Sequence, residues 1–476
     1  MRISEEHLVR ALGDWQRPGV PLVGSLDGAL REAVLDGRLR VGGALPAERR
    51  IAAGLGISRG TVVAALARLR DAGWVHTRHG SASTVRLPPQ EAEPIAPLSA
   101  SGHAGSIDLR KAVPAAPRAG YLDAVARAVA LAGPALAQDG YPGAGLPDLR
   151  AAVADRYTRQ GLATRPEQIL VTSGARAALA LLAAHLRPRV AAVENPTYPR
   201  AIAVLREAGA RLAGIRVETA GWDPEQLVAA FAAARGGLAY LVPDFQNPTG
   251  ALMDARTRQA VAVAAAEHRV TVVADETMRD LHLAPEPSWP RRIRRAVLIG
   301  SAGKSVWGGL RVGWIRSPET ALIDALRLHP LYEPLSAPPL EQLVAVELLA
   351  DLEPLLQRRR TELRVQRDHL AGLLAAANGP RGAHGPRAGS RAAGPESDGG
   401  LWRFTAPDGG LVLWLRLTGT RADVAVARAR AAGIELAPGP RYAVDGTLAH
   451  YLRVPFTPPP AALDRIAATL ATACRP

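Results

Sequence analysis

From Ile107 onward the chain alternates short apolar runs with long Ala/Leu-rich ones, and that alternation leaves few folds open. The short runs lie at 169–172, 190–193, 238–242, 270–274, 296–299 and 312–315 and are dominated by Val, Ile, Leu and Ala. A strand that is apolar on both faces must be covered on both. The helices between such strands supply the cover, so the pattern predicts an α/β fold with a mostly parallel sheet. Strand-like runs return at 410–417 and 450–454, with a helical run after Thr420, which predicts a smaller α+β part from about residue 341. Residues 378–400 are low in complexity and read as a surface insertion. At 476 residues the chain is too long for one ordinary core, and two or three domains are expected. Residues 88–106, rich in Pro, Ser, Gly and Ala, read as a linker. They divide an N-terminal unit, 1–87, from the α/β unit, 107–476.

The N-terminal unit reads as a helix ending near Arg17-Pro18, a helix–turn–helix and a hairpin. Ile51 and Leu55 give the first helix of the motif an apolar face, and Gly56 permits a tight turn. Ser58 can cap the next helix, where Val62, Leu66 and Leu69 fall on one buried stripe. Ser58, Arg59 and Thr61 open its other face, the part of a recognition helix that enters the major groove. Gly73 to Val85 reads as a β-hairpin with His79-Gly80 at its tip. Three segments, Leu45-Pro-Ala-Glu-Arg, Gly56-Ile-Ser-Arg-Gly-Thr-Val and Ala72-Gly-Trp with His79-Gly-Ser, occur in order. This block resembles the GntR-type winged helix–turn–helix. The resemblance implies double-stranded DNA as partner, with Arg49, Ser58, Arg59, Thr61, His79 and Gly80 at the contact.

Of the 58 lysines and arginines only Lys111 and Lys304 are lysine. A chain that uses arginine almost everywhere keeps a lysine where an amine is needed, because guanidinium does not lose its proton in proteins and lysine can act as a nucleophile. Lys111 sits in Asp-Leu-Arg-Lys and reads as surface. Lys304 follows a strand, and other polar motifs also stand at strand ends, the ligand edge of an open α/β sheet. Thr172-Ser-Gly-Ala-Arg opens a helix whose free N–H groups suit a phosphate. Asn247-Pro-Thr-Gly follows another strand, Asp275 terminates a third, and Arg311, in Gly308-Gly-Leu-Arg-Val-Gly-Trp, comes seven residues after Lys304.

These groups answer the needs of pyridoxal phosphate: an amine for its aldehyde, an anion beside its ring nitrogen, a donor to its phenolic oxygen and a phosphate cup. Lys304, Asp275 and Asn247 can supply the first three. Ser173, Gly174, Ala175, Ser301 and Arg311 can build the cup, and Tyr198 in Glu194-Asn-Pro-Thr-Tyr-Pro can stack on the ring. Over 107–476 the constellation resembles the fold-type I aminotransferases of class I/II. That resemblance implies Lys304 as the Schiff-base residue. It also implies Tyr141 reaching the phosphate of a partner subunit in a homodimer, and Arg453 in Tyr-Leu-Arg-Val holding an effector or substrate carboxylate. Two departures stand out. Met278 occupies the position of a tyrosine that commonly bonds the phenolic oxygen, and Gly303 replaces the usual serine before the lysine.

The whole chain resembles the MocR-type regulators, a winged helix fused to an aminotransferase-like domain. The resemblance implies a DNA-binding regulator that senses pyridoxal phosphate, or an amine or amino acid condensing with it, and is at most a weak transaminase. Two rivals are a working aminotransferase with an accessory DNA head and a DNA-binding dimer whose large domain is only a scaffold. The formal net charge of +14 favours an anionic partner. The single cysteine, Cys474, excludes a disulfide scaffold and fits a reducing compartment. No metal site is expected. The first residues carry charges where a signal peptide has its apolar core, so a cytoplasmic protein without membrane contact is expected. The basic run Arg291-Arg-Ile-Arg-Arg reads as a solvated loop.

Overall fold

The structure is a computed structural model and describes residues 2–77, 82–89, 91, 105–140, 143–284, 291–378 and 400–476. The low-complexity run at 379–399, most of the linker, and the expected contact residues His79, Gly80 and Tyr141 lie outside the described residues.

Eight strands form one sheet in the order Ile169–Thr172, Gly313–Arg316, Val297–Ser301, Thr271–Asp275, Leu238–Leu241, Val190–Asn195, Arg211–Glu218 and Gly221–Trp222. The five central strands are mutually parallel, and Gly313–Arg316 runs antiparallel between Ile169–Thr172 and Val297–Ser301. The strands are apolar on both sides because both sides are covered. Alternate residues enter two separate cores: Val171, Ala239, Leu241, Val272, Ala274 and Leu298 go to one. Leu170, Leu238, Tyr240, Val273, Val297 and Ile299 go to the other. This is the period-two alternation of a pleated strand filled on both faces.

A second, antiparallel sheet runs Trp402–Arg403, Val412–Leu417, Tyr451–Pro455, Ala437–Pro438. The long helix Leu352–Ala377 and the final helix Pro460–Ala473 pack with it around Leu363, Leu370, Leu413, Leu415, Leu463 and Leu470. Residues 107–108 pair with Ile434–Glu435 beside this sheet, so the segment leaving the linker enters the fold at the smaller part.

The N-terminal unit has its own core of Leu8, Leu26, Leu30, Ile51, Val62, Leu66, Leu69 and Trp74. Its first helix, Glu5–Leu12, is shorter than the sequence suggests. Gly13 at φ +58° ends it, a backbone geometry that glycine adopts without steric cost. Helices Glu48–Leu55 and Arg59–Asp71 meet at 118°, within the range of a helix–turn–helix. Among the described residues no single helix is long and apolar enough to cross a membrane.

Candidate functional site

The register of the sheet assembles a cup at one edge. Ser301 stands opposite Gly313, and Gly313 opposite Thr172, so three strand ends are side by side. Gly174, at φ +113°, turns the chain from Thr172 into helix Ala175–Leu186 and leaves the first N–H groups of that helix at the turn. Gly313 lies directly behind it. A side chain there would sit 2.6 Å from the Gly174 Cα, so glycine is required for the strand to approach the cup. The N–H of Ser173 donates to the Leu335 carbonyl at 2.7 Å. The Ser301 hydroxyl accepts from the Gly303 N–H and donates to the Val312 carbonyl, both at 3.0 Å, so it fixes the Lys304 turn as well as facing the edge. Arg311 is exposed at φ +56°, an uncommon geometry for a side-chain-bearing residue.

Lys304 lies on the single turn Ala302–Ser305 that follows. Its Nζ donates to the Ala112 carbonyl at 2.7 Å. Burial, with Arg453 near it, pushes its pKa down from 10.5 to about 8, and Asp275 opposes the shift. The neutral amine, the nucleophilic form, is thus reached at far lower pH than in an ordinary lysine. The unfolded chain still holds this proton between about pH 8 and 10.5, so Lys304 makes stability rise with pH across that window. Uptake of an aldehyde cofactor is expected to accelerate with pH up to about 8 and then level off, followed by stopped-flow absorbance. A rate that keeps climbing towards pH 10.5 would mean an unperturbed amine.

Asp275 closes strand Thr271–Asp275 and is buried. One carboxylate oxygen accepts from the Tyr240 hydroxyl at 2.7 Å and the other from the Thr277 N–H at 3.0 Å. Burial and Asp275 hold the Tyr240 phenol well above its usual pKa, so it stays a donor. Tyr240 belongs to no motif. Its one signal in the sequence is a hydroxyl in the otherwise apolar run Leu-Ala-Tyr-Leu, beside the strand that ends in aspartate.

Asn247 and Tyr198 are held by a buried network around Glu194. That carboxylate accepts from the Trp222 indole, the Val242 N–H and the Gln246 amide at 3.0–3.1 Å. Gln246 also donates to the Pro196 carbonyl at 2.7 Å and accepts from Thr249, so one side chain ties the Asn195-Pro196 loop to the Asn247-Pro248 loop. Burial pushes the Glu194 pKa up to about 7. The Asn247 Oδ1 is buried without a partner, and such an atom is costly unless something binds it. Tyr198 begins helix Pro199–Glu207. Its pKa is raised, chiefly by burial, and its electrostatic neighbours include Asp275 and Arg453.

Arg453 is buried on strand Tyr451–Pro455. It lies over the Tyr442 ring at 5.1 Å, and its Nη2 donates to the carbonyls of Leu109 at 3.2 Å and Arg110 at 2.7 Å. Its Nε is buried with no partner. Residues 109–112 therefore form a strap whose carbonyls engage both Arg453 and Lys304. No motif marks this strap. Lys111 within it is exposed, as expected. Met278 is buried in an apolar cluster with Leu109, Ala112, Phe245 and Leu281, under the strap and with no donor to offer. One expectation is corrected. In the run 291–295, Arg292 turns inward, pairs with the buried Glu276 at 2.7 Å and lies over the Tyr157 ring at 5.0 Å. A buried carboxylate needs a cation, and Arg292 supplies the hydrogen-bonded one, with Arg279 also among its electrostatic neighbours.

On the N-terminal unit, the Ser58 hydroxyl accepts from the Thr61 N–H at 3.1 Å and caps helix Arg59–Asp71, an interaction of about 1 kcal/mol. It also lies 2.9 Å from the Thr61 hydroxyl. Arg49, Ser58 and Arg59 are exposed, and Arg59 pairs with Glu48 at 3.2 Å. Exposed ion pairs are weak, so Arg59 is easily exchanged to a stronger anion. Strands Val75–His76 and Thr84–Val85 form the base of the wing.

Residues 102–470 match the model of the family "Aminotransferase class I and II", and residues 23–85 match that of "Bacterial regulatory proteins, gntR family". The chain is 27% identical over 440 residues to the uncharacterized HTH-type transcriptional regulator YisV of Bacillus subtilis, covering 85% of this chain and 86% of that one. It is 28% identical over 305 residues to the HTH-type pyridoxine biosynthesis transcriptional regulator PdxR of Corynebacterium glutamicum, covering 61% and 64%. Among solved structures it is similar to LysN, an α-aminoadipate aminotransferase of Thermus thermophilus, with a TM-score of 0.66 and 25% identity over 78% of this chain and 92% of that one. The chain belongs to the aminotransferase class I and II family and joins that domain to a GntR-family DNA-binding head, the architecture of the MocR-type transcriptional regulators.

Proposed function

We propose that the protein regulates transcription by binding operator DNA through its head and pyridoxal phosphate through its large domain, with an amine or amino acid as a further effector. One observation carries the reading: a buried, low-pKa lysine stands beside Asp275 and Arg453, whose Nε is buried without a partner, in a chain that also bears a DNA reader. The residue types at the site fit the cofactor. Lys304 is the amine for its aldehyde, Asp275 the anion for its ring nitrogen, Asn247 the partner of its phenolic oxygen and Tyr198 the ring beside it. Ser173, Gly174, Ala175, Ser301 and Arg311 surround the phosphate position. When bound, pyridoxal phosphate supplies an aldehyde that condenses with amines and a ring that withdraws electrons. The resting contacts of Lys304 and Arg453 are carbonyls of the strap, and a carboxylate is the better partner for a guanidinium. An effector carboxylate on Arg453 would thus displace Leu109 and Arg110, at the point where the linker enters the fold.

Tyr141 of a partner subunit would complete the phosphate site in a homodimer. Leu122 and Val129 on helix Arg118–Ala130, Leu131 just after it and Leu136 at the end of Gly133–Leu136 are exposed apolar side chains that a second copy could cover. The likeness to LysN favours a second reading, a working aminotransferase. Met278 speaks against it, since the phenolic oxygen loses a donor there. Titrating the purified protein with pyridoxal phosphate is expected to give visible absorbance at one cofactor per chain and to change operator affinity by roughly 5- to 150-fold, the span of typical couplings. No absorbance, or an affinity indifferent to the cofactor, would overturn the reading. Steady turnover of an amino donor with a 2-oxo acid would replace it with the enzyme.

A further inference from the structure

We propose that the surface formed by residues 447–450 and Arg416 is a docking site for the DNA-reading head, keyed by Asp36, and that it couples the head to the strand carrying Arg453. The coupling rests on the effector reading above, whereas the docking does not.

Asp36 ends the head's helix Leu22–Leu35 and its side chain is fully buried, although aspartate normally seeks water at such a position. What buries it comes from the other domain. Arg416 meets one carboxylate oxygen at 2.7 Å and His450 the other at 3.1 Å, while Arg38 of the head adds a third contact at 3.3 Å. The preceding carbonyl, of Leu35, accepts from the N–H groups of Leu448 at 2.5 Å and Ala449 at 3.2 Å. Gly37 completes the fit, because a side chain there would meet the Thr447 hydroxyl at 3.2 Å. Charge, backbone and shape therefore match over three consecutive head residues. On the other side of the boundary, His7 and Arg10 of the head face Asp223 and Glu225 of the large sheet domain at 3.8 and 3.9 Å. The head thus touches both parts of the aminotransferase-like unit.

The docking surface is continuous with the effector site. Arg416 stands opposite Tyr451, and Trp414 opposite Arg453, across the same pair of strands. Opposed and alternate residues share a face, so these four side chains lie on one side of the sheet. Trp414 stacks on Tyr451 at 5.2 Å and meets Tyr442 edge-on at 5.8 Å, and Tyr442 lies under the Arg453 guanidinium. Two residues of strand, about 7 Å, separate Tyr451, which stands opposite Arg416, from Arg453. A ligand shifts an equilibrium only by binding its states differently. Here the states differ in whether this face holds the head, and a carboxylate on Arg453 acts on the same face.

The test uses the full-length protein with Asp36→Asn, and with Arg416→Ala or His450→Gln so that a head that failed to fold could be recognised. Hydrogen exchange at Leu448 and Ala449 is expected to quicken by roughly tenfold or more in each, since removing one partner of a buried ion pair strands the other. Wild-type protection in all three variants overturns the docking. In the same proteins pyridoxal phosphate absorbance titrations should match wild type, while the ratio of operator affinities of the cofactor-loaded protein with and without a mixture of the common L-amino acids falls towards one. A ratio held at the wild-type value overturns the coupling. A wild-type protein whose operator affinity ignores the amino acids overturns the coupling together with the effector reading it rests on, and the exchange result still decides the docking.

Discussion

Replacing Lys304 with alanine is expected to abolish covalent capture of pyridoxal phosphate and the visible absorbance that goes with it. No other described residue can substitute. The only other lysine, Lys111, is exposed on the strap, and every remaining basic side chain apart from histidine is a guanidinium, which does not lose its proton. Removing Lys304 leaves the Ala112 carbonyl without that donor but also takes away a buried cation beside Arg453, so the two effects oppose each other and the apoprotein should remain folded. Lys304→Arg should fail equally, which separates loss of the amine from loss of charge. Absorbance after gel filtration of each variant mixed with the cofactor reads this directly. Retained visible absorbance in Lys304→Ala would move the site elsewhere. If the proposed function holds, operator affinity in this variant should also stop responding to pyridoxal phosphate.

The sequence makes this lysine legible because its composition is so one-sided, and makes the sheet legible because a strand covered on both faces must be apolar throughout. Asp275 closes such a strand, and Lys304 and Asn247 lie in the loops that follow two others. Groups held by tertiary contact are not legible in the same way. Tyr240 interrupts an apolar strand, and nothing local says that its hydroxyl turns towards Asp275 rather than water. The strap at 109–112 acts through backbone carbonyls, which carry no side-chain signature at all. Arg292 reads as one of four solvated arginines until Glu276 is seen beneath it. Asp36 looks like an ordinary helix-end aspartate, and its meaning comes from Arg416 and His450, hundreds of residues away. In each case the partner comes from elsewhere in the chain, and nothing in the local sequence names it.

The head offers the second large effect. Arg59→Ala is expected to weaken operator binding by about 1–3 kcal/mol, roughly 5- to 150-fold, if Arg59 reads a base edge from the first turn of the recognition helix. Its geometry supports that role. The Ser58 cap fixes the start of the helix, Val62, Leu66 and Leu69 anchor its inner face, and Arg59 projects outward with Glu48 as its only ion-pair partner among the described residues. Substitution there leaves the core and the cap intact, so the head's thermal unfolding should not change. Arg49, on the neighbouring helix and equally exposed, provides the contrast. A phosphate contact there would lower affinity for all sequences alike and reduce the salt slope by about one, without relaxing specificity. Fluorescence anisotropy with operator and scrambled duplexes across a salt series distinguishes the two. Loss of affinity for both duplexes in Arg59→Ala would demote Arg59 to a backbone contact. No loss in either variant would mean that the recognition helix meets DNA through another face.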